Sequence, residues 1–229
     1  PRETFLANAL GTLNVLEASR QAGAERVLAV TSADVYGRVT SDELPLGEDR
    51  PLRPVSPYAA SKVAADALAQ QAWLGHRLPV IRVRAFNHLG PGQSDRFLAP
   101  SIAARIAHNE RDGGDDVPIG NMTPRRDVTD VRDVVRAYRL LVEAGEPGAV
   151  YNVCRGSAVS VQEIAEALLA KASRPMHLVS DPGLQRPVDI PVLVGDNTSL
   201  RDATGWEPTI ALDQTLSDVL ADWRARLAC

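Results

Sequence analysis

Apolar and polar positions alternate in two rhythms along the chain. Phe5, Leu6, Ala9, Leu13, Leu16 and Ala18 recur at helical spacing and predict a helix over 3–22, with Gly23 placed to end it. Residues 26–31 are apolar throughout their middle and predict a buried strand. Gly37, Pro45, Gly47, Pro51 and Pro54 then break the chain into loop. A second helix is predicted over 57–74, with Ser56 as its cap and Pro57 at its first position. A strand at 79–84 leads into a glycine-rich turn at 86–93. Further on, the pattern predicts a helix near 97–109, short strands near 117–120 and 126–128, a helix over 130–144 and a buried strand at 150–154. Ser160 and Glu163 form a capping box for a helix reaching Ala172; a strand at 176–180 and a last helix at 211–227 follow.

Helices alternating with short β-branched runs predict an α/β fold built on a parallel sheet. No linker separates two lobes. Any second domain is therefore expected to interleave with the first, dividing the chain into 1–92 with 129–154 and 93–128 with 155–229.

Composition narrows the function classes. The 229 residues carry 25 basic and 29 acidic side chains, a net charge of −4 with no basic block, which argues against nucleic-acid or membrane-surface binding through bulk charge. No apolar run reaches membrane-spanning length. Cys154 and Cys229 make neither a disulfide framework nor a metal-ligand spacing, and no metal is expected. Their scarcity points to a reducing cytoplasm. Lys62 and Lys171 are the only lysines.

Four groups of residues carry candidate chemistry. Tyr58 and Lys62 lie four apart, one turn along a helical face, where an ammonium can favour a phenolate; an accidental spacing is the plain alternative. Ser32 and Asp34 follow a strand end, where open α/β sheets bind ligands, though both residue types also satisfy turn backbone. Asn87 and His88 precede the tight Gly90-Pro91-Gly92 turn. Arg126 and Arg186 offer guanidinium forks suited to phosphate, or to ordinary surface ion pairs.

These elements, with Leu52-Arg53-Pro54-Val55-Ser56-Pro57-Tyr58, Phe86-Asn87-His88-Leu89-Gly90-Pro91-Gly92-Gln93, Arg126-Asp127-Val128-Thr129-Asp130, Tyr151-Asn152-Val153-Cys154 and Thr204-Gly205-Trp206-Glu207-Pro208 in that order, resemble the extended short-chain dehydrogenase/reductase family that modifies nucleotide sugars. The likeness runs over essentially the whole chain and is greatest to the branch acting on GDP-linked sugars. It implies a partial Rossmann-type sheet with a smaller substrate lobe, and NADP or NAD as cofactor. It implies Ser32, Tyr58 and Lys62 as the catalytic set, with Lys62 lowering the Tyr58 pKa, and Asp34 as an additional acid/base. Asn8, Thr31, Phe86 and His88 would join Tyr58 and Lys62 at the cofactor. Asn87, Asn121, Arg126 and Arg186 would hold the GDP-linked sugar, with Pro187 to Ile190 beside them. Helices 3–22 and 57–74 would pair in a homodimer.

The short Ala33-Asp34 sequence, where dehydratases of the family carry glutamate, favours reduction of a C4 ketone; 4,6-dehydration and 4-epimerisation are the alternatives. The family's glycine-rich pyrophosphate loop has no counterpart in these 229 residues, and the chain opens with Pro1, so it reads as part of a longer protein. A sugar-nucleotide-binding module without turnover is the alternative of another class.

Overall fold

A computed structural model describes residues 1–184 and 190–228. Three parallel strands form the central sheet: β1 (Val27–Ser32), β2 (Val80–Ala85) and β6 (Val150–Val153), in the order β1-β2-β6. The middle strand β2 is buried at every position, whereas β1 is partly exposed, and among the described residues it pairs on one side only. A second group of strands comprises β3 (Asn87–Leu89), β5 (Arg125–Asp130), β7 (Ala158–Ser160) and β9 (Val192–Leu193), and a third pairs β4 (Asp116–Ile119) with β8 (His177–Ser180).

Helix α3 (Pro57–His76) starts as its sequence predicts. Ser56 Oγ accepts the Ala59 N–H at 3.1 Å, and Pro57 occupies the first turn. It runs past the expected end at Leu74 because Arg77, with φ of 55°, supplies a left-handed cap. Against one face of the central sheet, α3 and α2 (Gly11–Gln21) bury Leu16, Ala69, Ala72, Leu78 and Val80. The other face packs on α5 (Val131–Ala144) and α7 (Thr198–Thr204) through Val134, Leu141, Leu200 and Trp206. Leu200 and Trp206 fall within the stretch that the sequence assigns to the smaller lobe, yet they complete this core. Trp206 Nε1 donates to the Asp133 carbonyl at 2.9 Å, fixing the indole there. A separate core joins α4 (Leu98–Asp112), α6 (Val161–Leu169), α8 (Leu212–Leu227) and β4.

The helix expected over 3–22 is interrupted. After α1 (Arg2–Phe5) the chain makes a π turn over Leu6–Leu10 before α2 resumes. Each residue inserted in a π turn rotates the following positions around the axis. Phe5, Leu6, Leu10 and Val15 are exposed, while Ala9 and Leu16 are buried. The short strands β3, β7 and β9 and helix α7 have no sequence counterpart; strands of two or three residues, and a helix of about two turns, carry too little periodicity to announce themselves.

Candidate active site

Strand β1 delivers Ser32 to the C-terminal edge of the sheet. There Ser32 Oγ accepts the Asp34 N–H at 3.2 Å and caps a 3-10 turn over Ala33–Tyr36. Gly37 follows with φ of 67°, and a Cβ there would stand 1.6 Å from the Arg53 carbonyl oxygen. Glycine is required at 37 because the chain returns across it, with the Arg53 N–H donating to the Val35 carbonyl at 3.0 Å, before entering α3.

Tyr58 and Lys62 stand one turn apart on the half-buried face of α3. Lys62 Nζ donates to the Val30 carbonyl on β1 at 3.3 Å and lies 6.0 Å from the Tyr58 ring centroid. Burial pushes the Tyr58 phenol above its usual value; hydrogen bonding with Ser32 pulls it back down in part, and the Asp34 charge adds to the rise. Burial also lowers the Lys62 ammonium. The expectation that Lys62 depresses the Tyr58 pKa is not met in this structure: desolvation outweighs the other influences, and the ammonium is bonded to a strand carbonyl. A neutral phenol is nevertheless the form that can donate a proton.

The remaining candidates separate by position. Asn8, in the π turn, donates from Nδ2 to Ser61 Oγ at 2.9 Å, and Ser61 in turn donates to the Tyr58 carbonyl at 2.7 Å, so Asn8 braces α3 between Tyr58 and Lys62. Thr12 Oγ1 donates to the Asn8 carbonyl at 2.6 Å, which helps satisfy the π turn. The Thr31 side chain is directed inward: its hydroxyl donates to the Val83 carbonyl at 2.8 Å in a buried setting. The Phe86 ring is likewise buried, beside Tyr36, Leu46, Cys154 and Leu193. His88 is exposed, and its Nδ1 lies 3.1 Å from the Phe86 carbonyl oxygen.

Asn87 pairs with Val128 in the β3–β5 register, and Arg126 lies two residues before Val128, so the Asn87 and Arg126 side chains share one face of that sheet. Arg126 Nη1 donates to the Ile190 carbonyl at 2.6 Å. Next to it, buried Asp127 accepts backbone N–H groups from Arg155, Gly156 and Gly195 at 2.7, 2.8 and 3.4 Å; burial still raises its pKa to about 6. Exposed Asn121 accepts from the N–H and hydroxyl of Thr123, closing a turn. Arg186, with Pro187, Val188 and Asp189, lies outside the described residues.

One cluster escaped the sequence reading. Asp66, a further turn along α3 from Lys62, is buried between Arg82 and Arg84 of β2 at 2.8 and 3.0 Å. Its sequence signal is Arg82 and Arg84 alternating in an otherwise apolar strand, which places two charges on one face and calls for a buried counter-ion.

The profile of the family described as GDP-mannose 4,6 dehydratase matches residues 1–219. The chain belongs to this family. It is a short-chain dehydrogenase/reductase of the epimerase and dehydratase type, an oxidoreductase-type enzyme in a group of nucleotide-sugar reductases and dehydratases. Among its relatives, GDP-6-deoxy-D-mannose reductase of Pseudomonas aeruginosa is 38% identical over 229 residues, covering 99% of this chain and 75% of that protein. Mouse dTDP-D-glucose 4,6-dehydratase is 32% identical over 167 residues, 73% of this chain and 45% of the relative. A solved structure of RMD from Pseudomonas aeruginosa complexed with NADPH superposes with a TM-score of 0.91 at 38% identity, over 97% of this chain and 74% of that one. The Thermus thermophilus UDP-glucose 4-epimerase complex with NAD gives 0.82 at 28% identity, over 96% and 70%. The Rossmann-type architecture of this family member follows from these superpositions.

Proposed function

We propose that the chain reduces the C4 ketone of a GDP-linked 4-keto-6-deoxyhexose, giving a GDP-6-deoxyhexose such as GDP-rhamnose. The observation that carries this reading is Lys62 Nζ bonded to the Val30 carbonyl at 3.3 Å and 6.0 Å from the Tyr58 ring centroid, which sets phenol and ammonium beside the strand that ends in Ser32. The 38% identity to a GDP-6-deoxy-D-mannose reductase supports the choice of sugar.

NADP or NAD fits the donor set at this edge. The ammonium of Lys62, which spends one bond on Val30, and the Tyr58 phenol are both partly exposed and suit a ribose diol. Bound there, the nicotinamide would supply the hydride. Ser32 would hold the ketone oxygen by donating its hydroxyl proton as a hydrogen bond, stabilising charge that develops as the carbonyl becomes an alkoxide. Tyr58, a neutral phenol whose pKa burial raises further, would pass its proton to that oxygen. Asn87 and Arg126, on one sheet face, would bind the diphosphate with Arg186; Asn121 would lie toward the base. The substrate would sit between the lobe formed by 1–92 with 129–154 and the lobe formed by 93–128 with 155–229. Association into a homodimer through helices α1–α2 and α3 is supported by exposed Phe5, Leu6, Leu10, Val15 and Leu74.

A second reading, 4,6-dehydration, is supported by Asp34, a carboxylate two residues past Ser32 in the same turn, whose charge acts on the Tyr58 phenol. Supplying GDP-mannose and GDP-4-keto-6-deoxymannose separately and identifying each product by NMR tests both. Consumption of the keto sugar alone is expected. Consumption of GDP-mannose to the keto sugar would replace the first reading by the second, and binding without turnover would reject both.

A further inference from the structure

Two segments carry the groups around the sugar ketone: the strand-and-turn that holds Ser32, and helix α3 that holds Tyr58 and Lys62. Arg84, buried on β2, touches both. Its Nε and Nη2 donate to Asp66 of α3 at 3.0 and 3.4 Å. Its Nη1 donates to Tyr36 Oη at 3.1 Å and to the Glu48 carbonyl at 2.8 Å, and the guanidinium carbon lies 5.2 Å from the Tyr36 ring centroid. Tyr36 ends the turn that Ser32 caps, and its hydroxyl donates onward to Asn152 Oδ1 on β6 at 2.7 Å.

Arg82 makes an instructive contrast. It also donates to Asp66, at 2.8 Å, but its other bond goes to the Gly148 carbonyl at 3.3 Å, away from the turn. A single cation would neutralise Asp66. Of the two arginines on Asp66, Arg84 is the one that also bonds Tyr36 and the Glu48 carbonyl.

We propose that Arg84 is a positioning residue that sets the separation between the Ser32 hydroxyl and the Tyr58 phenol by tying Tyr36 and Asp66 to one rigid guanidinium. The inference rests on the reading of Ser32 and Tyr58 as the pair acting on the ketone oxygen. Only arginine suits this place: its donors are held in a planar fork that spans two partners at fixed angles, whereas lysine is a point charge on a flexible stem. Misplacing a reacting group by about 1 Å can cost on the order of 10²-fold in rate.

The test compares R84K, Y36F and R82K with the wild-type chain by crystallography and steady-state kinetics. Y36F removes one hydroxyl and keeps every charge, so it carries the comparison should R84K fail to fold. In R84K and Y36F the distance from Ser32 Oγ to Tyr58 Oη is expected to change by about 0.5 Å or more, a displacement large for a preorganised site. The value of kcat should fall about 10-fold or more while both KM values hold, with a larger isotope effect from deuterated nicotinamide. R82K should lose thermal stability alone. An unchanged distance and kcat in folded R84K and Y36F would overturn the proposal, as would an equal displacement in R82K. Displacement in R84K and Y36F but not R82K, with no turnover by any of the proteins, would uphold Arg84 and reject the proposed reaction.

Discussion

Lys62 Nζ donates to the carbonyl of Val30 at 3.3 Å, joining the helix that carries Tyr58 to the strand that ends in Ser32. The bond crosses from α3 to the partly exposed side of β1. It fixes the ammonium beside the phenol without an intervening loop.

Removing the Tyr58 hydroxyl tests the acid directly. Tyr58→Phe is expected to lower kcat for ketone reduction by about 10²–10⁴-fold, the range of a lost general acid. Isothermal titration calorimetry should give a GDP-sugar affinity near wild type. Loss of binding along with turnover would make Tyr58 structural.

The pH dependence of reduction has a definite sign. Tyr58 must be protonated to act, and its pKa is raised above the ordinary 10.0, so its deprotonation does not limit the rate below that pH. Burial lowers the Lys62 ammonium from 10.5, so its loss as pH rises would also bring an alkaline limb. Lys62→Arg should keep the charge and move the alkaline limb of kcat/KM upward. An alkaline limb unchanged in this variant would assign it elsewhere.

Arg126 is expected to act on binding. Arg126→Ala should raise the KM for the GDP-sugar by about tenfold or more, the scale of a lost charge-assisted contact, while leaving the KM for the nicotinamide cofactor unchanged. Equal rises in both values would point to disturbance of the Ile190 segment that Arg126 holds.

Glu110 ties α4 to α8. Its two oxygens accept from Arg224 at 2.6 and 2.7 Å, and one also takes the Ser173 N–H at 2.7 Å. The hydrogen bonds from Arg224 are the main reason its pKa falls from 4.5 to about 2. Between those values the unfolded chain holds more protons, so the stabilisation is complete above 4.5 and is lost as pH falls toward 2. Discounted for the exposure of Arg224, Glu110→Gln should cost about 1–2 kcal/mol in urea unfolding at pH 7. The difference from wild type should shrink in acid. A constant difference at both pH values would exclude this linkage.

The exposed apolar positions test the proposed association. Replacing Phe5 and Leu10 by glutamate should convert a dimer to a monomer in sedimentation velocity, with little change in melting temperature because both side chains already face water in the isolated chain. An unaltered sedimentation coefficient would place the contact on another face.

What was legible in the sequence had local causes. Ser56 and Pro57 start α3 through bonds within one turn, and the Ser160–Glu163 capping box forms as written. The four-residue spacing of Tyr58 and Lys62 places them on one face of any helix. The motif order was enough to establish the family, and with it the kind of sheet.

Other features depend on partners far along the chain, and only the tertiary structure decided them. Asp66 reads as one acid in an alanine-rich helix until β2 brings Arg82 and Arg84 against it. The π turn at Leu6–Leu10 interrupts a pattern that reads as continuous helix, and in the folded chain Asn8 within it bonds Ser61, 53 residues away. The Tyr58 pKa moved opposite to expectation because desolvation is set by everything packed around a phenol, whereas sequence spacing reports only one neighbouring charge. Helical and strand patterns are short-range and survive in one dimension. Burial and long-range hydrogen bonding exist only once the chain has closed on itself.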